Sequence, residues 1–138
     1  MENLFKINLL SKRCNIGIIR NMLGVIVVEY NPTITFINEL KTVVSEVITN
    51  SIVHGYNNEE DKLIDLIIKL YDDHISVDVI DYGIGIEDIE MAKTPLYSSK
   101  HDEERSGLGF TIMELFTDKL EIVSKLNSGT SIHLEKKW

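Results

Sequence analysis

An α+β fold, with helices layered on one face of a largely antiparallel sheet, is predicted by three features of this sequence. Two long segments repeat apolar residues at helical spacing, and five short ones alternate or cluster them as strands do. The two kinds are grouped rather than strictly interleaved, in the order β-α-α-β-β, a long gap, then α-β-β. That order suits a two-layer sandwich.

Phe5, Ile7 and Leu9 alternate with Lys6 and Asn8, which reads as a first strand. Ile18, Ile19, Met22, Leu23 and Ile26 recur at helical spacing, so a helix is expected over about Lys12 to Val28. Asn31-Pro32-Thr33 breaks it, because proline cannot donate and restricts the residue before it. A second helix is expected from about Thr35 to His54, with Gly55 just past its end. Leu40, Val43, Val44, Val47, Ile48 and Ser51 form its core stripe. Glu46, Asn50 and His54 fall together on one flank of that stripe, at the edge of the core where a cleft would lie.

Ile64, Leu66, Ile68 and Leu70, the polar turn Tyr71-Asp72-Asp73-His74, and then Ile75, Val77 and Val79 read as a β-hairpin. Asp81 continues the inward face of the second strand, where a carboxylate is costly without a partner. From Ile86 to Ser106 only Glu87 to Met91 reads as helix; Pro95, paired serines and the charged run His101 to Arg105 make the rest a long functional loop. A helix from Gly109 to Thr117 follows, then a strand from Leu120 to Lys125, a turn at Asn127-Ser128-Gly129 and a strand through Ile132 and Leu134.

At 138 residues, 43% hydrophobic and 26% charged, the composition fits one globular domain, residues 1–138. The net charge of -8 argues against direct nucleic-acid binding, since phosphate backbones demand clustered Lys and Arg. Cys14 stands alone, so no internal disulfide or zinc-finger spacing is present, and its apolar helical neighbourhood predicts a buried thiol. Met1 to Leu10 lacks the basic start and apolar run of a signal peptide, and no segment approaches the roughly 20 apolar residues of a membrane span. A cytoplasmic location without a membrane partner is expected.

Three signals in this frame point to nucleotide chemistry. An Asn50 amide oxygen suits Mg²⁺, a hard ion that keeps several waters when it bridges to phosphates, and Glu46 one turn earlier could accept a proton from an attacking hydroxyl. Asp81 could accept a hydrogen bond from an exocyclic amine such as adenine N6, while Gly83 and Gly85 would let backbone approach a ligand closely. Gly107-Leu108-Gly109 opens a helix, where free N–H groups favour phosphates, and Arg105 just before it could offer paired donors to a γ-phosphate. Lys100 is a second candidate cation. Each signal alone is weak and reads more readily as an exposed helix face, a strand-ending turn or a helix-start loop; their coincidence in this order is what carries weight.

The set Glu46-x-x-x-Asn50, Asp81-x-Gly83-x-Gly85, Gly107-x-Gly109 and Gly129-Thr130 resembles the N, G1, G2 and G3 boxes of the GHKL ATPase superfamily, which includes gyrase B, histidine kinases and MutL. Closer wording lies in Leu40 to Glu46, His54-Gly55-Tyr56, Pro95-Leu96-Tyr97 and Glu104 to Glu114, which resembles the SpoIIAB family of anti-sigma F factors. The resemblance implies the Bergerat fold, with helices on one face of a mixed, largely antiparallel sheet and an ATP lid over about residues 86–106. It implies an ATP- and Mg²⁺-dependent homodimer that holds sporulation sigma factor F inactive and phosphorylates a serine of the anti-anti-sigma factor SpoIIAA. Carried over by position, Glu46 is the general base and Asn50 the Mg²⁺ ligand. Asp81 binds adenine with help from Thr130, and Gly83 and Gly85 shape its pocket. Ser106, Gly107, Leu108 and Gly109 meet the phosphates of ATP or ADP, Arg105 the γ-phosphate, and Arg20 lies on the sigma-binding face. Ser51 stands where the N box often has Ala, and Tyr97 where the lid often has Phe. The competing readings are a kinase of the general-stress sigma type, a nucleotide-gated sigma-binding module without significant kinase activity, and the catalytic half of a histidine kinase.

Overall fold

The structure, a computed structural model, describes residues 1–92 and 109–138. Five strands form one sheet in the order β1-β2-β3-β5-β4: β1 is Asn3–Leu10, β2 Leu63–Leu70, β3 His74–Asp81, β4 Lys119–Lys125 and β5 Gly129–Lys137. The register aligns three rows on the inner face. Phe5, Ile68, Val77, Leu134 and Leu120 make one, and Ile7, Leu66, Val79, Ile132 and Ile122 the next. The third starts apolar at Leu9 and Ile64, then turns polar through Asp81, Thr130 and Ser124. Because side chains alternate faces, the apolar periodicity of each strand fixes this register, and a slip by one residue would expose two rows of the core.

All four strand pairings are antiparallel, so the mixed sheet expected above is not found among the described residues. β3 and β4 do run in the same direction, joined through a crossover that includes helix α4 (Gly109–Leu115), but β5 lies between them and pairs antiparallel with both.

Helices cover the inner face. α1 (Cys14–Ile26) contributes Ile19 and Leu23, both buried. Cys14 is exposed, contrary to the buried thiol expected from its neighbours. Nine residues separate it from Leu23, which on a helix puts the two about 180° apart. A short 3₁₀ turn, Val28–Tyr30, and left-handed Asn31 at φ 49° end this segment. α2 (Ile34–Asn50) starts at Thr33, whose side chain accepts the Phe36 N–H at 3.0 Å, an N-cap. Leu40, Val43, Val44, Val47 and Ile48 are buried as the spacing predicts, as is Ser51 just past the end of α2, and Phe36 and Thr49 are buried in addition.

The end of α2 differs from expectation. From Ser51 to Gly55 the backbone widens into a π-helical turn. Gly55 is not left-handed: among the described residues the only glycines with positive φ are Gly85 and Gly129. π-turns recur at functional sites because they rotate side chains off the regular helical spacing. The short helix α3 (Ile89–Ala92) begins two residues later than predicted, with Asp88 accepting the Met91 N–H at 3.0 Å.

At the opposite end of the sheet, Trp138 stacks on Tyr30 with ring centroids 4.4 Å apart and donates its indole N–H to the Tyr71 carbonyl at 2.9 Å. Lys136 donates to the Phe116 carbonyl at 2.8 Å and pairs with Glu39 at 3.2 Å, tying the segment after α4 to α2. Among the described residues no helix is long and apolar enough to cross a membrane.

The open face of the sheet carries His133 between two carboxylates, Asp78 and Glu135, each 2.8 Å from one ring nitrogen. Burial alone would lower the pKa of His133, but the hydrogen bonds and charges of Glu135 and Asp78 outweigh it and raise it above 6.5. A raised folded-state value means that His133 adds stability that is full below 6.5 and is lost as pH rises through the folded value. Urea midpoints of wild type and His133→Gln are therefore expected to differ most at about pH 6 and to converge at higher pH. A gap that does not change with pH would show that the imidazolium contributes nothing.

Candidate active site

Helix α2 organises the site. Glu46 and Asn50, one turn apart, are both half-buried on the flank of its core stripe. Facing them is Gly109, the first residue of α4: a Cβ placed there would stand 3.0 Å from Glu46 Oε2 and 3.5 Å from Asn50 Nδ2. Glu46 Oε2 is shielded from solvent. The start of α4 thus packs on the two polar side chains most suited to phosphoryl chemistry, although they are some sixty residues away in sequence. A bulkier residue than glycine at 109 would push into that contact.

The π-turn at the end of α2 reaches the second part of the site. Asp81, at the last position of β3, is 4% exposed. Burial raises its carboxyl above the ordinary carboxylate range, opposed by hydrogen bonds from the Gly83 N–H, the Ser51 hydroxyl and the Thr130 N–H. The Gly83 contact is 3.1 Å. A carboxylate left this dry gains from any further donor that reaches it, and an exocyclic amine is such a donor.

Gly55 earns its place here rather than as a helix terminator. Its own Cβ would meet the Asp81 carboxylate at 3.0–3.1 Å, and a Cβ on Gly83 would fall 2.0 Å from the Gly55 carbonyl oxygen. The two backbones touch, and the Ile84 N–H donates to Gly55 O at 3.0 Å. Gly85 has φ +76°, and a Cβ there would fall 2.1 Å from the Lys125 carbonyl oxygen. The Asn127 N–H donates to Ile84 O at 2.6 Å, so the loop after β3 is stitched to the π-turn on one side and to the β4–β5 turn on the other. The close approach expected of Gly83 and Gly85 toward a ligand is, in the described contacts, an approach to protein backbone. Gly129, at φ +92°, does the same against the Asp81 carbonyl, where a Cβ would lie at 2.1 Å.

Thr130 sits directly across from Asp81 in the β3–β5 register and is 9% exposed. Its hydroxyl meets Ser124 Oγ at 2.8 Å. Tyr56, buried after the π-turn, donates its hydroxyl to Leu63 O at 2.6 Å and accepts the Tyr82 N–H at 2.7 Å. Arg20 is half-buried and donates to Lys41 O at 3.1 Å and Ser45 Oγ at 2.8 Å, joining α1 to α2.

Of the residues singled out from the sequence, Glu46, Asn50 and Gly109 come together, as do Asp81, Gly83, Gly85 and Thr130. Lys100, Arg105, Ser106, Gly107 and Leu108, with most of the lid, lie outside the described residues. Ser124 was not named from the sequence, while Ser51, Gly55 and Tyr56 were named only as core stripe, helix end and family wording and not for the contacts they make here. Ser124 shares the inward parity of Leu120 and Ile122, the same argument that marked Asp81, so a strand-parity signal existed for it. For the roles of Gly55 and Tyr56 no local signal exists, because their partners are Asp81, Tyr82 and Gly83.

Among the described residues no group of three or more His, Cys, Asp or Glu side chains is placed to hold a metal ion. One half-buried amide beside a carboxylate fits Mg²⁺ only as an ion that arrives with phosphate oxygens, which is how Mg²⁺ is ordinarily held in nucleotide sites.

Residues 15–136 match the family model of the histidine kinase-like ATPase domain. Anti-sigma F factors of Clostridium beijerinckii and Clostridium perfringens are each 44% identical over 137 residues, 99% of this chain and 96% and 98% of theirs. That of Oceanobacillus iheyensis is 46% identical over 110 residues, 80% of this chain and 75% of its own. In fold, the chain is similar to a Mycobacterium tuberculosis protein solved with its RsbU and RsbW domains, at TM-score 0.68 and 17% identity, covering 97% of this chain and 31% of that one. A histidine kinase domain of Erythrobacter litoralis gives TM-score 0.59 at 18% identity, covering 90% of this chain and 59% of that one. With its nucleotide-type residues gathered along α2 and the end of β3, the chain belongs to the histidine kinase-like ATPase family and, within it, to the anti-sigma F factors.

Proposed function

We propose that this protein binds and inhibits sigma factor F and, using ATP with Mg²⁺, phosphorylates a serine of an anti-anti-sigma factor of the SpoIIAA type. The observation that carries this reading is that one helix serves both halves of the site. α2 holds Glu46 and Asn50 against Gly109, while its π-helical end meets Asp81. In the proposed division of labour Asp81 accepts from the adenine amine, and Asn50 takes the metal that accompanies the triphosphate. Bound Mg²⁺ would neutralise phosphate charge and orient the chain of oxygens. Glu46 receives the proton of the substrate serine. Arg105, with the Gly107 and Gly109 amides, offsets charge on the transferred phosphoryl group, and Ser106 and Leu108 belong to the same phosphate-binding stretch.

The protein works as a homodimer in the cytoplasm on this reading, with residues 1–138 as one domain and about 86–106 as the lid. Capture experiments with purified sigma factor F and SpoIIAA, each with ATP and with ADP, test it, followed by transfer from labelled ATP. Retention of sigma factor F with ATP and label on a SpoIIAA serine are the expected results. Capture of sigma factor F without transfer would leave a nucleotide-gated binding module, and capture of neither partner would remove the proposal.

A further inference from the structure

Ser124 completes the polar end of the third inner row, beside Thr130, which in turn lies beside Asp81. Three groups meet its hydroxyl: the Ile86 N–H at 2.7 Å, the Gly129 carbonyl at 3.1 Å and the Thr130 hydroxyl at 2.8 Å. A serine hydroxyl has one hydrogen and two lone pairs. An amide N–H only donates and a carbonyl only accepts, so the hydrogen goes to Gly129 O and one lone pair to Ile86. What remains toward Thr130 is a lone pair. In that arrangement, with the Ser124 hydrogen on Gly129 O, the Thr130 hydroxyl gives its own hydrogen to Ser124 and elsewhere offers lone pairs alone. Beside it, the Asp81 carboxyl takes the Gly83 N–H at 3.1 Å and, as a carboxylate, has only acceptors to offer.

We infer that Ser124 is a positioning residue for base recognition: by fixing the proton direction of Thr130, it makes the Asp81–Thr130 edge an acceptor-only surface that selects purines bearing an exocyclic amine. This rests on the adenine reading of Asp81 given above. Without Ser124, the Thr130 hydroxyl can turn its hydrogen toward the base, where it would face a donor of like polarity and relax the selection. A purine with a carbonyl oxygen in place of the amine is disfavoured at such an edge, because two acceptors would be left facing each other.

The test compares binding of ATP and of purine riboside 5′-triphosphate, which lacks the amine, to the full-length protein. Wild type should favour ATP, and Ser124→Ala should cut that preference by about three- to tenfold, the worth of one hydrogen bond, while leaving affinity for the amine-free nucleotide unchanged. Ser124→Cys, of similar volume but a weak acceptor, should lower the preference too, and Ser124→Thr should restore it. In a Thr130→Val background Ser124→Ala should no longer change the ratio. Fluorescence of the single Trp138 reports whether each variant is folded. Equal loss of both nucleotides, or an unchanged ratio in folded Ser124→Ala and Ser124→Cys, overturns the inference and leaves the adenine reading standing. A wild type with no preference for ATP removes that reading, and this inference with it.

Discussion

Glu46→Gln is expected to lower serine phosphorylation by at least about 100-fold, the range removed with a general base, while ATP affinity stays within about threefold of wild type. The substitution isolates proton acceptance from packing. Gln has the shape of Glu, and Glu46 Oε2 is shielded from solvent in contact with Gly109, so a smaller residue would open a gap at the start of α4. Gln fills the same space but cannot take a proton at neutral pH. The expected pattern is thus a fall in kcat with little change in the nucleotide dissociation constant. It separates catalysis from the rival in which nucleotide merely gates sigma binding, since a binding module has no use for a base. Single-turnover transfer from labelled ATP to SpoIIAA, beside equilibrium ATP binding, measures both quantities. Near-normal transfer would remove Glu46 as the base; equal loss of binding and transfer would make it a structural or nucleotide-holding residue instead.

Much of this site can be read from local sequence because its two halves follow from local periodicity. The α2 stripe from Leu40 to Ile48 leaves Glu46 and Asn50 on one flank wherever that helix packs, and parity along β3 turns Asp81 inward without knowledge of its neighbours. What periodicity does not carry is pairing between distant segments. The insertion of β5 between β3 and β4 brings Thr130 beside Asp81 and Ser124 beside Thr130, and no spacing within either strand announces it. The π-turn is similar. Ser51 lies on the core stripe of a regular helix, yet its hydroxyl reaches Asp81 where the backbone has widened. Cys14 is the opposite case: its exposure follows from its angle to Leu23, and composition of the neighbourhood was the wrong guide. The glycines are most instructive. Asp81-x-Gly83-x-Gly85 reads as room left for a ligand, but the described contacts give the room to the backbones of Gly55 and Lys125.

Gly83→Ala is accordingly expected to destabilise the fold itself, by about 3 kcal/mol or more, and to abolish measurable nucleotide binding. The added Cβ would lie 2.0 Å from the Gly55 carbonyl oxygen and 2.4 Å from its carbon, and neither is the end of a flexible side chain. One backbone must move. If the loop after β3 moves, the Gly83 N–H leaves Asp81 and the Ile84 N–H leaves Gly55, so a buried carboxylate and a carbonyl lose donors at once. If the π-turn moves, the Ser51 hydroxyl is drawn from Asp81 instead. Either route strips the group proposed to read the base. Gly17→Ala is the matching control, because nothing lies within 4 Å of a Cβ there and the residue is exposed within α1. That change should stabilise the protein by about 0.5–1 kcal/mol through the helix preference of alanine. Thermal unfolding followed at Trp138 should therefore shift down by about 10 °C for Gly83→Ala and slightly up for Gly17→Ala. A Gly83→Ala protein with wild-type melting and ATP affinity would show that the Gly55–Gly83 backbone contact is not maintained in solution, and with it the link between α2 and Asp81 on which the site depends.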